Sequence, residues 1–384
     1  VIKVKKADLA FALRAVTRLM DSNPTMPILK FTKLLYMEKF LYIDAGNPSD
    51  HAFARIPAEG DPTVGCVDPR ILLQLLPSLG EEIVMTPHKN KLLIKRPTGN
   101  VLLATADPEL YPPNPPAKEA GDWILFPREG IKELCASLLC GTEEDGTLPT
   151  LWQNVALLRC GGEEYVAVSS DGRRTAVVDG VCQGEAGLEL LIPVKALRAL
   201  YALVDSLPES VTTIKIGQDK NRIWIYLGDC LRLTYGKIHT QFPDVFGQVL
   251  AKLQFTRKLE VNSEAVAGAL NLVKIMGDDK TRAFRMEASA ESMLFATASA
   301  DRGEGSELVS VASPNGFESF TTGYNVDFLA PIFQQIDGTV TVEFAETGKG
   351  RVDYPLKVVY QGANVRSSWL IASLNIFPKA EVKE

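Results

Sequence analysis

Asp68-Pro69-Arg70-Ile71-Leu72-Leu73-Gln74-Leu75-Leu76, followed by Glu82-Ile83-Val84-Met85 and Lys91-Leu92-Leu93-Ile94-Lys95, reads as a short helix leading into a strand pair. The chain writes this phrase twice more. Pro193-Val194-Lys195-Ala196-Leu197-Arg198-Ala199-Leu200-Tyr201 precedes Thr213-Ile214-Lys215-Ile216 and Arg222-Ile223-Trp224-Ile225-Tyr226. Asn325-Val326-Asp327-Phe328-Leu329-Ala330-Pro331-Ile332-Phe333 precedes Val340-Thr341-Val342-Glu343-Phe344 and Leu356-Lys357-Val358-Val359-Tyr360. Upstream of each phrase an earlier helix fits the same frame. Leu9, Leu13, Val16 and Leu19 recur at helical spacing in the first copy, Ile131, Leu134 and Leu138 in the second, and Val266, Ala269, Leu270 and Val273 in the third.

Tyr111-Pro112 closes the first copy and Phe242-Pro243-Asp244 the second, and linkers are expected near 112–120 and 244–254, where Pro, Gly and polar residues cluster. The reading is α+β, with three tandem similar domains at 1–118, 119–253 and 254–384. Such a series predicts a ring or arc rather than one active-site pocket. Helices and strands alternate in any α+β protein, so the order alone does not name a fold.

Length agrees, since 384 residues suit two or three domains, and 46% hydrophobic content lets each bury its own core. No stretch approaches the roughly 20 apolar residues of a membrane span, and the N-terminus reads as a charged strand rather than a leader. A soluble cytoplasmic protein is the expectation. With 41 Lys and Arg against 47 Asp and Glu, the formal charge of −6 argues against a conventional nucleic-acid binder. Six cysteines, Cys66, Cys135, Cys140, Cys160, Cys182 and Cys230, include no C-x-x-C pair, and His51, His88 and His239 stand far from them. Buried free thiols fit better than a zinc site or a disulfide framework.

Chemical signatures are thin. A Walker phosphate loop and a Gly-x-Gly-x-x-Gly turn are missing from the sequence, and Gly348-Lys349-Gly350 reads as a hairpin turn. Ser169-Ser170-Asp171 lacks an identifiable histidine partner for a serine nucleophile. Gly277-Asp278-Asp279 offers two carboxylates, but metal catalysis needs further ligands held beside them, and the pair follows a helix where a turn is expected.

What rises above this background is an ordered set of phrases. Pro24-Thr25-Met26-Pro27-Ile28-Leu29 follows the first helix, Ser170-Asp171-Gly172-Arg173-Arg174-Thr175-Ala176 sits in the second copy, Phe242-Pro243-Asp244 ends it, and Gly323-Tyr324-Asn325-Val326 opens the last helix. Together, over nearly the whole chain, they resemble the bacterial sliding clamps, the β subunits of DNA polymerase III. The resemblance implies a non-enzymatic processivity factor that needs no cofactor. Two chains of three domains pair head to tail into a ring around duplex DNA, with helices lining the hole and sheets outside. Its implied partners are duplex DNA bound without sequence preference, the polymerase III catalytic subunit, the clamp loader, other proteins with short hydrophobic motifs, and a second copy of itself.

Such a ring needs only a diffuse positive field toward phosphates. The basic residues on or beside the helices expected to face DNA are Arg14, Arg18, Arg70, Lys132, Lys195, Arg198, Lys274, Lys280 and Arg282, with the aromatic Trp152. Asp8, Glu129 and Glu133 dilute them. Asn23 stands where the family commonly carries an arginine, so DNA contact is expected to lean on the second and third copies. The resemblance also implies a cleft for short hydrophobic peptides, made by Ser170, Gly172, Arg173, Arg174, Thr175, Pro243, Val249, Asn325, Phe328, Leu370, Ala372 and Leu374. Arg173 stands where histidine is common, Thr175 where leucine is, and Ala372-Ser373 where a Met-Pro pair is. The chain also runs on through Phe377-Pro378-Lys379 to Glu384. An altered peptide preference follows. Two other readings remain open at this point: a clamp-fold scaffold that no longer encircles DNA, and a metal-dependent nucleic-acid enzyme using Asp278 and Asp279 or the Asp171 loop.

Overall fold

The computed structural model describes residues 1–113, 122–142, 150–313, 317–345 and 354–374. One order of elements recurs three times in it. The first set is β1 (Ile2–Lys5), α1 (Lys6–Thr17), β2 (Thr32–Met37), β3 (Phe40–Gly46), β4 (His51–Gly60), β5 (Thr63–Val67), α2 (Pro69–Leu75), β6 (Glu82–His88), β7 (Lys91–Arg96) and β8 (Gly99–Ala106). The second is β9 (Asp122–Pro127), α3 (Arg128–Leu139), β10 (Val155–Cys160), β11 (Glu164–Ser170), β12 (Arg174–Val181), the two-residue β13 (Gln183–Gly184), β14 (Glu189–Pro193), α4 (Val194–Leu203), β15 (Thr213–Gln218), β16 (Arg222–Leu227) and β17 (Leu231–Gly236).

A short helix, α5 (Val245–Gln248), follows. The third set is β18 (Phe255–Asn262), α6 (Ser263–Met276), β19 (Ala283–Ala288), β20 (Ser292–Ser299), β21 (Gly303–Ala312), β22 (Phe320–Asn325), α7 (Val326–Phe333), β23 (Thr339–Ala345), β24 (Leu356–Gln361) and β25 (Val365–Ile371). The α5 turn occupies the stretch expected to be a plain linker. Its start is fixed by the Asp244 carboxylate, which accepts from the Gly247 amide at 3.0 Å. Most of the 112–120 linker, the Gly348-Lys349-Gly350 turn and 377–384 lie outside the described residues.

The helices begin where local chemistry lets them. Asp68 caps α2 by accepting from the Arg70 amide at 2.9 Å, Asn262 caps α6 through the Ala265 amide at 2.9 Å, and Asn325 caps α7 through the Asp327 amide at 2.8 Å. Each helix then buries one stripe. Leu9, Leu13 and Val16 of α1 are fully buried, as are Leu270 and Val273 of α6. Leu19, read as a helical position, falls just beyond α1 but is still buried.

Two compact units are formed, and each has its own sheet. The first comprises Val1–Lys132, Cys160–Glu163 and Cys182–Ile238. Its strands run β1-β6-β7-β8-β5-β2-β3-β4-β17-β16-β15-β9-β13. Alternation decides its core: Leu41, Ile43, Ala52, Ala54, Leu231, Leu233, Ile223 and Ile225 point to one buried face. The second comprises Glu133–Arg159, Glu164–Val181 and His239–Glu384. In it β10-β11-β12-β25-β24-β23-β18-β21-β20-β19-β22 follow in order. Its core includes Trp369, Tyr324, Phe295 and Phe344.

Strands from different sets meet at two seams. Near its start the fourth strand of the first set, β4, pairs antiparallel with the last strand of the second, β17, at Phe53 opposite Arg232 and Ala54 opposite Leu231. The fourth strand of the second set, β12, pairs with the last strand of the third, β25, from Arg174 opposite Ile371 to Gly180 opposite Val365. Two strands in equivalent positions have no such partner among the described residues. In β21 one edge meets β18 only at Val311 and Ala312, and in β8 one edge meets β5 only at Thr105 and Ala106. Leu308 of β21 is 65% exposed and Leu102 of β8 is 49% exposed.

The cysteines are free, as expected, although Cys230 is half-buried rather than buried. No helix among the described residues is long and apolar enough to cross a membrane.

Candidate functional site

In the second unit, β11 and β12 form a hairpin whose turn is Asp171-Gly172-Arg173. Gly172 has φ +89°, a left-handed conformation that costs an L-residue strain, so glycine belongs here. The turn is braced from within. One Asp171 carboxylate oxygen accepts from the Arg173 amide at 2.8 Å and the Arg174 amide at 2.9 Å, while the other takes the Arg174 Nε at 2.9 Å. Ser170 Oγ lies 2.9 Å from Thr175 Oγ1, donates to the Arg174 carbonyl at 3.0 Å, and accepts from the Gly172 amide at 3.1 Å. That network gives Ser170 and Asp171 structural work. Ser169 likewise donates to the Leu138 carbonyl.

Arg174 is the hub. Its side chain is 8% exposed, and the Asp171 side chain is 7% exposed. Beyond Asp171, the guanidinium donates to the carbonyls of Thr142 and Asp327 and stacks 4.7 Å from the Phe328 ring centroid. The Asp327 carbonyl is available for a reason written in α7. Pro331 stands four residues on and has no amide to bond back to it. Arg174 fills the vacancy.

From the other side, Ala372 donates its amide to the Arg173 carbonyl at 2.9 Å, Thr175 lies opposite Leu370, and the Leu374 amide reaches the Gly323 carbonyl at 2.7 Å. Ser170, Gly172, Arg173, Arg174, Thr175, Phe328, Leu370 and Ala372, expected together from distant sequence, are thus joined in one contiguous group. Asn325 caps the helix that presents Phe328. Pro243 and Val249 flank α5, and Val249 is exposed. Trp152, expected among the DNA-facing residues, packs edge-on against Phe242 at 6.1 Å and lies 3.8 Å from where a Cβ on Gly172 would stand. Its contacts are with the turn and the Pro243 segment.

Most of the expected DNA-facing cations hold carboxylates or carbonyls. In the first unit, Lys132 meets Asp205 at 2.5 Å, Lys195 meets the buried Asp50 at 2.5 Å, and Arg70 donates to the Asp21 carbonyl at 3.0 Å. Arg14 of α1 and Arg18, just past its end, are exposed, and Arg198 is half-buried. In the second unit, Lys274 meets Asp327 at 3.1 Å, and Arg282 meets Asp327 at 3.5 Å and Asp279 at 3.1 Å. Lys280 is exposed. Sequence reasoning missed Asp327, whose carboxylate holds two of these cations while its carbonyl holds Arg174. An acid in the first turn of a capped helix was the available signal, but it reads equally as dipole compensation.

The Asp278-Asp279 pair closes a turn. Asp278 accepts from the Lys280 and Thr281 amides at 2.9 and 2.8 Å, and those bonds hold its carboxyl below the usual range. Asp279 pairs with Arg282 and Arg302. No group of three or more His, Cys, Asp or Glu side chains that could hold a metal ion occurs among the described residues.

Comparison with known proteins agrees with the resemblance read from the sequence. The chain is 22% identical over 343 residues to the beta sliding clamp of Proteus mirabilis, covering 87% of this chain and 89% of that one. The same figures hold for the beta sliding clamp of Escherichia coli K12. Among solved structures, the DNA polymerase III β subunit of Thermotoga maritima superimposes with a TM-score of 0.84 at 16% identity, over 98% of this chain and 100% of that one. A griselimycin-bound sliding clamp of Pseudomonas aeruginosa gives 0.82 at 18% identity, over 97% and 99%. No family model matches. The fold is the sliding-clamp fold, α+β, along almost the entire chain.

Proposed function

We propose that this chain works as the beta sliding clamps it resembles do: two copies close into a ring around duplex DNA and tether the replicative polymerase and other DNA-processing proteins to it. The three recurring sets are then three clamp domains, 1–118, 119–253 and 254–384. The clamp catalyses nothing, because its work is mechanical linkage.

One observation carries this reading. Two seams join a fourth strand to a last strand inside the chain, and the equivalent edges of β21 and β8 are left open among the described residues. A second copy supplies the missing partner to each, head to tail, and closes the series of seams. The open edges also complement each other: exposed Glu304 and Glu307 lie on β21, while exposed Lys89, Lys91, Lys95 and Arg96 surround β8.

The Arg174 group supports the peptide-binding part of the proposal. A hairpin turn held rigid by buried hydrogen bonds, beside the apolar Phe328, Leu370 and Leu374, suits a short hydrophobic motif with a polar rim. The ion-paired cations suit the DNA part. A field diluted by carboxylates attracts phosphates without gripping them, as sliding requires.

Light scattering on the eluting protein tests the ring. A dimer of about 84 kDa, twice the 42.0 kDa chain, is expected for wild type, and a monomer for Leu308→Glu. A wild-type monomer at every concentration, up to the highest that stays in solution, would sink the ring and favour the scaffold reading.

A further inference from the structure

Along the β4–β17 seam of the first unit, the sheet face opposite the buried core is paved with rings and cations. Phe53 lies opposite Arg232, Arg232 opposite Tyr226, and Tyr226 opposite Lys215, a row running straight across four strands. Arg232 stands 5.0 Å from the Phe53 ring centroid and 5.7 Å from that of the buried Trp224. Lys215 stands 4.1 Å over Trp123, which meets Tyr226 edge-on at 5.3 Å. Arg55 stands 4.6 Å over Phe40. Phe53 and Tyr42, 5.6 Å apart and tilted by 31°, continue the surface onto β3.

The fold does not require this arrangement, because the same position at the second seam is built otherwise. There the face opposite the core carries Val177 opposite Ser368 and Asp179 opposite Arg366, with neither a ring nor an excess of cations. In a chain of net charge −6, the outward positions of the first seam gather Arg55, Arg222, Arg232 and Lys215. Arg55 also meets Asp229 at 3.6 Å. Among the described residues, the contacts of Lys215 are with a ring and not a carboxylate, and the Arg232 Nε is buried without an acceptor.

We propose that this face binds single-stranded nucleic acid. Its cations answer phosphates, and half-exposed rings between them offer stacking to bases whatever their sequence. An acidic peptide would use the cations and leave the rings idle. Duplex would offer its phosphates but keep its base faces stacked away from the rings. Lys215 and Arg232, two strands apart, stand about 10 Å from each other in the sheet, so neighbouring phosphates of one strand reach both. The site belongs to one unit of one chain and needs no second copy.

Fluorescence anisotropy of labelled (dT)12 on the full-length protein tests it, with tryptophan emission as a second readout. Micromolar binding is expected at about 50 mM salt, with log K falling by about 2 per decade of salt for three phosphate contacts. Lys215→Gln/Arg55→Gln should weaken binding at least tenfold and flatten that slope to about −0.7. Trp123→Phe should keep binding and lose most of the emission change. Leu308→Glu, which disrupts the proposed ring, should leave (dT)12 binding as it was, so failure of this site and failure of the ring are read separately. Urea midpoints of the variants exclude unfolding. Binding unchanged in Lys215→Gln/Arg55→Gln, or a poly-Glu peptide binding more tightly than (dT)12, would overturn the proposal.

Discussion

Arg174→Ala removes one side chain and leaves four groups without it. The Asp171 carboxylate, 7% exposed, keeps its two amide donors but loses its counter-charge at 2.9 Å. Breaking one partner of a buried ion pair costs about 3–5 kcal/mol. The carbonyls of Asp327 and Thr142 lose a donor each, at about 1–3 kcal/mol where water cannot replace it. These costs overlap, because a vacated guanidinium volume admits water, and a net loss of about 4 kcal/mol in the second unit is expected. Urea unfolding followed through Trp369, in a background where the other tryptophans are phenylalanine, measures it. Hydrogen exchange should quicken at the amides of Arg173, Arg174 and Ala372. Asp171→Asn/Arg174→Met removes both charges, and the double variant should recover at least 2 kcal/mol relative to the sum of the single losses. A loss under about 1 kcal/mol for Arg174→Ala, or strict additivity in the cycle, would refute the hub.

Burial pushes the Asp44 carboxyl up to about 7 from 3.8, against the opposing pull of Arg232 and Lys33. The folded chain therefore holds a proton that the unfolded chain releases. This contribution to stability is full below about pH 4, is lost as pH rises through about 7, and reaches about 4 kcal/mol. Urea midpoints from pH 5 to 8 should fall in wild type and stay flat in Asp44→Asn. Gly172→Ala should cost about 1–2 kcal/mol by backbone strain alone, since its Cβ meets nothing closer than 3.8 Å, and calorimetry with a hydrophobic clamp-binding peptide should show weakened binding. Lys195→Met should lower stability by about 2 kcal/mol by stranding Asp50, whereas Arg18→Glu should leave the urea midpoint unchanged and reduce retention on circular duplex.

What was legible in the sequence was what repeats at short range. The buried stripe of α6 and the alternating Ile214 and Ile216 announce themselves within a few residues, and the Asp-Gly turn follows from glycine's freedom at φ +89°. The seams were not legible in this way. Arg232 pairs with Phe53 across a separation that leaves no periodic trace, and only the recurrence of the sets makes the partnership intelligible. The cations illustrate the same limit. Lys132, Lys195 and Lys274 were readable as basic residues on helices, but their partners Asp205, Asp50 and Asp327 lie elsewhere along the chain. Four residues of α5 are too few to show a helical period. The role of Pro331 needed the fold as well, because only there does the carbonyl it frees find Arg174.

In the proposed ring, the open edge of β21 makes protein concentration a variable of stability. Gly303–Ala312 presents backbone donors and acceptors along most of one side, beside the exposed Leu308. Dilution exposes such an edge, and association covers it. Association that selects the folded chain raises its melting temperature by mass action. A chain kept dilute melts earlier than the same chain in a crowded solution, and its uncovered strand is then a template for any other strand it meets. In the proposed ring that strand is covered and the template is gone.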